Sequence, residues 1–356
     1  MQRLKDKNIY YIVTGAPSAE FAVSIVTEIV AEGASVFTIP TKSSEAFVDI
    51  KRLKKIKNNT VKNDWSCDIK LPLEDAVLIA PCTFNTLNAI VSARADSYPL
   101  CLIASSIGKK IPVFIALAMN KSLWNHPTVQ ENIKKLESWG CQIIWPEITL
   151  DVVTMVDIGK ILDTLYFSFK RVNYIDKKVY RKELLKKLSN YRRKYFKEFS
   201  RVGVFLKENN LNLHSAGCMS LRVEDGFLIT SSGSDLSELK EKNISLVSAW
   251  DENKNLIEWC GDNIPSSETP LHCVIQDEEK DKMVLHIHCP KMTYSHVLIK
   301  YNSASYMRYG TFEIGHKAKA MLRKDKFFIM KYHGEVVAGN NCNDLENTVL
   351  KYFKKI

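Results

Sequence analysis

Residues 265–290 read Pro265-Ser266-Ser267-Glu268-Thr269-Pro270-Leu271-His272, then a charged loop, then Met283-Val284-Leu285-His286-Ile287-His288-Cys289-Pro290. Apolar residues alternate with His286 and His288, so a β-strand places both imidazoles on one face. Alternate side chains of a strand lie roughly 6–7 Å apart, and two tilted imidazoles can reach one Zn²⁺ at about 2.0–2.1 Å. A third histidine, His333, ends a further predicted strand just before Gly334. Three histidine ligands leave one coordination position open, as catalytic zinc sites do.

A His-x-His pair alone is more often an ordinary polar pair on an exposed strand face than a metal site, but two neighbouring loops favour a binding site. The predicted strand 226–230 ends in Ser231-Ser232-Gly233-Ser234, and Ser266-Ser267 adds further hydroxyl and N–H groups. Loops of small residues bind oxyanions such as phosphate, because N–H and O–H donors converge there without side-chain bulk. Glu268 follows the second loop directly.

The loops and histidines, with Leu213-His214-Ser215-Ala216-Gly217-Cys218-Met219-Ser220-Leu221-Arg222, resemble the class II aldolase/adducin family in order and spacing over residues 180–356. The resemblance implies an α/β domain with a central, mainly antiparallel sheet. It implies zinc ligands His286, His288 and His333, with Glu268 as the acid/base. It implies a phosphate pocket of five residues: Ser215, Ser232, Gly233, Ser266 and Ser267. Cys218 stands where the family usually has Asn, which removes an amide donor from that pocket.

The resemblance to this family implies a zinc-dependent lyase that cleaves or forms a carbon–carbon bond in a small hydroxycarbonyl substrate, expected to be a sugar phosphate. A sugar-phosphate dehydratase or epimerase of the same zinc family is an alternative. Adducin-like relatives have lost the ligands and bind partner proteins. All three histidines and the glutamate are present here, which favours catalysis over a binding role.

The N-terminal half alternates apolar strand-like runs with amphipathic helical patterns. Residues 8–14 form a β-rich run, the small residues 15–19 follow, and a helical pattern leads to a second strand at 35–40. The alternation continues through segments 76–81, 85–94, 113–116 and 128–139. This order predicts a flavodoxin/Rossmann-like α/β domain with a parallel sheet flanked by helices. The first loop lacks Gly-x-Gly-x-x-Gly, but small residues at a strand-to-helix turn still suit a phosphate.

Three segments of this half resemble the flavin-binding cysteine-decarboxylase flavoproteins, which include phosphopantothenoylcysteine decarboxylase, over residues 7–165. They are Ala80-Pro81-Cys82-Thr83-Phe84-Asn85-Thr86-Leu87, Ala95-Asp96, and Ala118-Met119-Asn120-Lys121-Ser122-Leu123-Trp124-Asn125-His126-Pro127. The resemblance implies an FMN site near Gly15, Ser18, Thr38, Thr83, Asn85, Thr86 and Asp96. It also implies that Met119 and Asn120 face the substrate.

The chain departs from these flavoproteins at the residues that would carry the chemistry. Asp68 stands where the decarboxylases have a histidine base, and Leu117-Ala118 replaces a proline before the Met-Asn pair. Residues 150–155 lack the lid cysteine. An unperturbed aspartate, with a pKa near 3.9, is a poor acid at neutral pH compared with histidine near 6.5. A bifunctional flavoprotein decarboxylase or oxidoreductase plus aldolase is therefore one alternative, and a flavin-family fold kept for assembly or ligand binding is another.

The length of 356 residues predicts two domains, with 1–168 flavoprotein-like, 169–200 a basic helical linker and first helix, and 201–356 aldolase-like. The formal charge of +10 comes largely from lysines and arginines at 169–201 and 351–355. These runs are typical of solvated helices, and no nucleic-acid motif accompanies them, so no nucleic-acid partner is expected. The resemblances imply a homo-oligomer, trimer-based for the first half and tetramer-based for the second.

Cysteine usage and hydropathy bear on the compartment. The nine cysteines are scattered, odd in number and never form Cys-x-x-Cys, and no signal peptide is evident, so a cytoplasmic protein is expected. The longest apolar tract, Pro99–Met119, is interrupted by Gly108-Lys109-Lys110. It is too broken for a membrane span, and no membrane partner is expected.

Overall fold

A computed structural model describes residues 2–62, 64, 71–148, 153–169, 172–212, 217–277 and 283–356. The chain folds as two compact units, Met1–Lys170 and Arg171–Ile356. Within the described ranges, no helix is both long and apolar enough to cross a membrane.

The first unit alternates strands with helices. Its strands are β1 Asn8–Val13, β2 Ser35–Pro40, β3 Asn59–Val61, β4 Ala76–Cys82, β5 Val113–Leu117, β6 Gln142–Ile144, β7 Glu147–Ile148 and β8 Val153–Thr154. Its α-helices are α1 Ala22–Ala31, α2 Ile50–Lys55, α3 Phe84–Val91, α4 Tyr98–Gly108, α5 Lys121–Trp124, α6 Pro127–Ser138 and α7 Ile158–Phe169. Short 3₁₀ turns cover Pro17–Phe21 and Lys42–Ser44.

Six of these strands form one parallel sheet in the order β3-β2-β1-β4-β5-β6, while β7 and β8 pair separately. Every residue of β4 and β5 is buried, as expected for central parallel strands covered by helices on both faces. Helix α1 buries Ala22, Ile25, Val26 and Ile29, the spacing of a single helical face. The predicted parallel sheet with flanking helices is confirmed.

The second unit combines a mainly antiparallel sheet with helices. Its strands are β9 Ile175–Lys178, β10 Cys218–Val223, β11 Gly226–Thr230, β12 Ile244–Asp251, β13 Leu256–Cys260, β14 Met283–Ile287, β15 Phe327–Met330 and β16 Gly334–Gly339. Its α-helices are α8 Lys182–Glu208, α9 Thr269–Gln276, α10 Pro290–Thr293, α11 Phe312–Asp325 and α12 Cys342–Phe353. Short 3₁₀ turns cover Leu236–Glu238, Glu241–Asn243 and His296–Tyr301.

The eight strands of this unit run in the order β15-β16-β14-β10-β11-β12-β13-β9. All neighbours are antiparallel except β13 and β9, which are parallel. Strand β14 is central and buried at all five positions. The mainly antiparallel sheet is confirmed. The basic segment expected as a linker and first helix contributes the edge strand β9 and the long helix α8, whose apolar stripe packs on this sheet.

Candidate active site

Three imidazoles meet at one end of β14. His286 lies on β14, His288 follows the strand, and His333 lies in the turn between β15 and β16. The expectation that a strand carries His333 was wrong, because Tyr332 takes a left-handed φ of 59° and turns the chain back towards β14. The ring centroids are 4.7 to 5.1 Å apart, and one nitrogen of each ring lies within 4.8 Å of the others.

The orientation of the His286 ring directs its Nε2 atom towards the other two histidines. Its Nδ1 atom lies 3.0 Å from the backbone carbonyl oxygen of Glu335, which can only accept, so the hydrogen is on Nδ1 and the lone pair on Nε2. That Nε2 lies 2.9 Å from Nε2 of His288. Two imidazole nitrogens facing each other at this distance suit a shared cation, since metal ligands commonly donate their other ring N–H to a carbonyl.

Glu335 itself supports the site from inside the sheet. Its carboxyl group is fully buried, and it accepts hydrogen bonds from the backbone N–H of Cys289 at 3.0 Å and from the Thr293 hydroxyl at 2.5 Å. Burial raises the pKa of this carboxyl to about 8, although both hydrogen bonds act in the opposite direction. These bonds tie the segment after His288 to β16, and so fix the spacing of the histidines.

Glu268 lies beside the histidines, at the start of α9, and is 3% exposed. One carboxyl oxygen, Oε1, is 3.4 Å from Nε2 of His333. The other, Oε2, accepts a hydrogen bond of 3.1 Å from the backbone N–H of Gly310. Gly310 has a φ of 62°, and a Cβ there would lie 2.5 Å from the carbonyl oxygen of Ser267. Only glycine allows this close approach, so the residue whose backbone N–H holds the carboxylate has to be glycine.

The two serine loops lie side by side. The backbone N–H of Ser232 donates to Ile264 at 3.0 Å, and that of Ser266 donates to Thr230 at 3.1 Å. These two N–H groups therefore pair the loops with each other, contrary to the expectation that they would be available for an anion. The Ser266 hydroxyl oxygen accepts from the N–H of Glu268 at 3.2 Å, which leaves its hydrogen as a donor. Gly233 and Ser267 lie in the same two loops, while Ser215 is outside the described residues.

A chain of buried polar groups lies behind these loops. His272 is fully buried, with Nδ1 2.7 Å from the Ser220 hydroxyl and Nε2 3.1 Å from the Cys218 sulfur. Gln276 donates to the same Ser220 hydroxyl at 2.9 Å. Burial lowers the pKa of His272 to about 3, so its ring is neutral, and burial raises the pKa of the Cys218 thiol. The thiol at the position usually occupied by Asn is thus part of a hydrogen-bonded interior network.

In the first unit, a cavity of about 200 Å³ lies beyond the C-terminal ends of the central strands β1 and β4 and is lined by Thr14, Thr41, Asn85, Thr86 and Arg94 among others. Two of these, Asn85 and Thr86, were expected near a flavin from the sequence. Thr83 contacts the cavity wall, since its hydroxyl lies 3.1 Å from that of Thr86.

The other expected flavin-site residues lie as follows. Asp96 pairs with Arg94 at the cavity mouth, Gly15 packs against Ser43, and Ser18 is buried in the first 3₁₀ turn. Thr38 is fully buried, and its hydroxyl donates to Asn59 at 2.7 Å. Met119 is buried, and Asn120 caps α5 by accepting from the N–H of Leu123. Asp68 and residues 150–152 lie outside the described residues.

Sequence reasoning missed several residues of both sites. Gly310, Glu335 and the pair His272–Ser220 support the histidine site, and Thr14, Thr41 and Arg94 line the cavity. A signal existed for Gly310, because a glycine follows Arg308-Tyr309 directly before a helix start, where a left-handed residue commonly turns the chain. The others act through contacts between segments far apart in the chain.

Residues 1–169 match the sequence model of the family described as Flavoprotein, and residues 197–350 match that of the Class II Aldolase and Adducin N-terminal domain. The chain joins a flavoprotein domain to a class II aldolase and adducin domain. Both resemblances predicted from the sequence are confirmed. The aldolase-like domain contains the three histidines and Glu268, and the flavoprotein domain contains the cavity beside Arg94.

Among curated relatives, the Coenzyme A biosynthesis bifunctional protein CoaBC of Borreliella burgdorferi is 28% identical over 188 residues, which cover 49% of this chain and 47% of the relative. Phosphopantothenoylcysteine decarboxylase of Arabidopsis thaliana is 32% identical over 126 residues, 32% of this chain and 60% of the relative. The matched part is therefore less than two thirds of the length of either relative.

Solved structures resemble parts of the chain. The FMN binding protein AtHal3 aligns with 47% of this chain and 98% of its own, with a TM-score of 0.42 and 24% identity. YgbL, a putative aldolase/epimerase/decarboxylase from Klebsiella pneumoniae, aligns with 46% of this chain and 87% of its own, with a TM-score of 0.38 and 20% identity.

Proposed function

We propose that the aldolase-like domain is a zinc-dependent lyase that cleaves or forms a carbon–carbon bond in a small, phosphorylated hydroxycarbonyl substrate. The main support is the convergence of His286, His288 and His333 with the Glu268 carboxylate 3.4 Å from His333. Three imidazole nitrogens suit Zn²⁺ and leave a coordination position for substrate. The Nδ1 hydrogen bond of His286 fits the same role, because it keeps the ligand lone pair directed at the other two rings.

Bound zinc would act as a Lewis acid on the carbonyl and hydroxyl oxygens of the substrate. Glu268 moves the proton. Its Oε2 is held by the Gly310 N–H, while Oε1 faces the histidines. Oε1 takes the proton of the hydroxyl that becomes a carbonyl as the carbon–carbon bond breaks. It then returns this proton to the carbon that keeps the electron pair.

The hydroxyl groups of Ser232, Ser266 and Ser267 are proposed to bind the phosphate. The Ser266 hydroxyl accepts from the N–H of Glu268 and also contacts the Cys218 thiol, so its hydrogen would turn from the thiol to a bound oxyanion. The same loop thus carries the phosphate contact and, two residues later, the acid/base. This arrangement sets the distance between the phosphate and the reacting carbon, which selects for a short substrate.

The test is metal analysis and turnover of purified full-length protein. We expect about one zinc per chain in the wild type and in Glu268→Gln, and a loss of cleavage by a factor of about 10² or more in Glu268→Gln. Glu238→Gln is the matched control, because Glu238 has 72% of its side chain exposed. Product analysis with phosphorylated and unphosphorylated hydroxyketones separates cleavage from epimerisation or dehydration. Wild-type turnover in Glu268→Gln, or a protein that binds no zinc, contradicts the proposal.

A second candidate function is supported by the cavity of the flavoprotein domain. The side chains of Asn85 and Thr86, with the Arg94 guanidinium, fit a phosphorylated aromatic cofactor such as FMN. Bound FMN would supply hydride chemistry, and relatives include phosphopantothenoylcysteine decarboxylases. The visible spectrum of the protein tests this directly. A visible flavin absorption band that is lost in Arg94→Ala supports FMN binding, and a protein that stays colourless after incubation with FMN contradicts it.

A further inference from the structure

The segment that immediately precedes the matched aldolase region carries two residues that reach the carboxylate loop. The family matches end at residue 169 and resume at 197, so residues 170–196 belong to neither. Within this interval, β9 adds a parallel edge strand to β13. The residues just before β9, Asn173 and Tyr174, are directed away from the edge and into the second unit.

Tyr174 is 1% exposed, and its ring packs in an apolar cluster with Phe227, Ile229 and Cys273 among others. Its hydroxyl lies 2.9 Å from the carbonyl oxygen of Pro265 and 3.2 Å from that of Ser266. The Tyr174 hydroxyl thus contacts the carbonyl oxygens of the two residues that directly precede Ser267 and Glu268. Burial raises the pKa of this phenol, so the group stays protonated and acts as a donor.

Asn173 reaches the other support of the carboxylate. Its side-chain N–H donates to the carbonyl oxygen of Tyr309 at 3.0 Å, and the next N–H along the chain, that of Gly310, donates to Glu268. The backbone of Asn173 is in turn fixed by Asn255, whose side chain donates to its carbonyl oxygen at 2.7 Å. Asn255 also accepts from the N–H of Ile175 at 2.8 Å. Tyr174 therefore contacts the loop that precedes Glu268, and Asn173 contacts the peptide unit whose N–H binds the Glu268 carboxylate.

We infer that Tyr174 and Asn173 are positioning residues for Glu268, so that the segment joining the two domains is a structural part of the lyase site. The inference rests on the proposed role of Glu268. It also explains why this segment matters to the second domain. Without it, the Pro265 carbonyl and the Tyr309–Gly310 peptide lose the donors supplied by Tyr174 and Asn173, while the Ser266 carbonyl keeps the Thr269 hydroxyl at 2.6 Å.

The test uses full-length Tyr174→Phe and Asn173→Ala, with Tyr180→Phe as the control, since Tyr180 is 73% exposed. Hydrogen exchange of peptides covering 264–270 is measured by mass spectrometry. In Tyr174→Phe we expect exchange about fivefold faster than in the control, the factor that one neutral hydrogen bond supplies. Exchange of 283–288 and the zinc content are expected to stay unchanged, because β14 and the turn at His333 hold the metal ligands. Equal exchange of 264–270 in Tyr174→Phe and Tyr180→Phe overturns the inference.

Asn173→Ala gives the second measurement, which does not depend on the folding of the tyrosine variant. We expect kcat to fall about tenfold with KM unchanged, because the carboxylate is misplaced while the serine hydroxyls are not. A change in KM alone, or none in either constant, overturns a positioning role. If the wild type binds no zinc or cleaves no hydroxyketone phosphate, the proposed function fails, while the exchange experiment still decides whether Tyr174 holds the loop.

Discussion

The Nδ1 atom of His286 lies 3.0 Å from the carbonyl oxygen of Glu335, across the antiparallel pair of β14 and β16. Strand β14 carries the imidazole, and the neighbouring strand β16 orients it. The register of the sheet, in which His286 is opposite Val336, therefore also sets the direction of the Nε2 lone pair. A slip of one residue would turn the ring to the other face of the sheet and remove it from the site.

This relationship predicts different outcomes for two substitutions of His286. Both His286→Asn and His286→Ala remove Nε2, so both are expected to lose zinc. The Asn amide can still donate to the Glu335 carbonyl, whereas Ala removes that donor. We expect the free energy of unfolding in urea, measured with chelator present, to be lower in Ala than in Asn by about 1–2 kcal/mol. Equal stability of the two variants would show that the carbonyl has another partner.

Gly334 follows His333 and has no room for a side chain. A Cβ there would lie 2.3 Å from the carbonyl oxygen of Ile287 and 3.1 Å from Cε1 of His286. Gly334→Ala is expected to lower the free energy of unfolding by about 1–3 kcal/mol and to weaken zinc binding about 10-fold or more. Gly108→Ala is the control, because nothing lies within 4 Å of its Cβ. Titration with a zinc indicator measures the affinity, and unchanged binding in Gly334→Ala would contradict this prediction.

The parts of the site that the sequence predicted share a local origin. The alternation around His286 and His288 requires only the period of a strand, and the serine loops are short runs of small residues next to predicted strands. The parallel sheet of the first domain follows in the same way from alternating strand and helix patterns. Each of these features is contained in a few consecutive residues, and so can be read without knowledge of the tertiary fold.

The parts that the sequence did not predict join distant segments. Gly310 reaches Glu268 across 42 positions, Glu335 reaches His286 across 49, and Tyr174 reaches Pro265 across 91. No pattern within one segment specifies such a pair, because the contact exists only once the sheet has formed. The sequence also mispredicted the position of His333. The apolar run before it predicts a strand that includes this residue, but the left-handed conformation of Tyr332 places His333 in a turn.

Cys218 is predicted to stabilise the domain through His272 rather than to react. Nδ1 of His272 lies 2.7 Å from the Ser220 hydroxyl, which accepts from Gln276, and Nε2 lies 3.1 Å from the Cys218 sulfur. Cys218→Ala removes the partner of this buried Nε2 and is expected to lower the free energy of unfolding by about 1–3 kcal/mol. Cys218→Ser restores an acceptor and is expected to lose less.

The control for Cys218 is Cys101→Ala, at a partly exposed position on α4. Urea unfolding compares the three variants with the wild type. If Cys218→Ser and Cys218→Ala lose the same stability, the thiol is a packing group only and the hydrogen-bond chain ends at His272.

The neutral state of His272 makes stability depend on pH. Burial lowers its pKa from 6.5 to about 3, so between these values the unfolded chain binds a proton that the folded chain does not. The contribution of this group to the free energy of unfolding is therefore complete above pH 6.5 and is lost as the pH falls towards 3, with a slope of up to about 1.4 kcal/mol per pH unit.

His272→Gln removes the titrating group, so the free energy of unfolding of this variant should fall less steeply on acidification than that of the wild type. His316→Gln, at an exposed position, is the comparison variant. Urea unfolding at several pH values measures the slopes; parallel curves for His272→Gln and His316→Gln would mean that His272 is charged in the folded state.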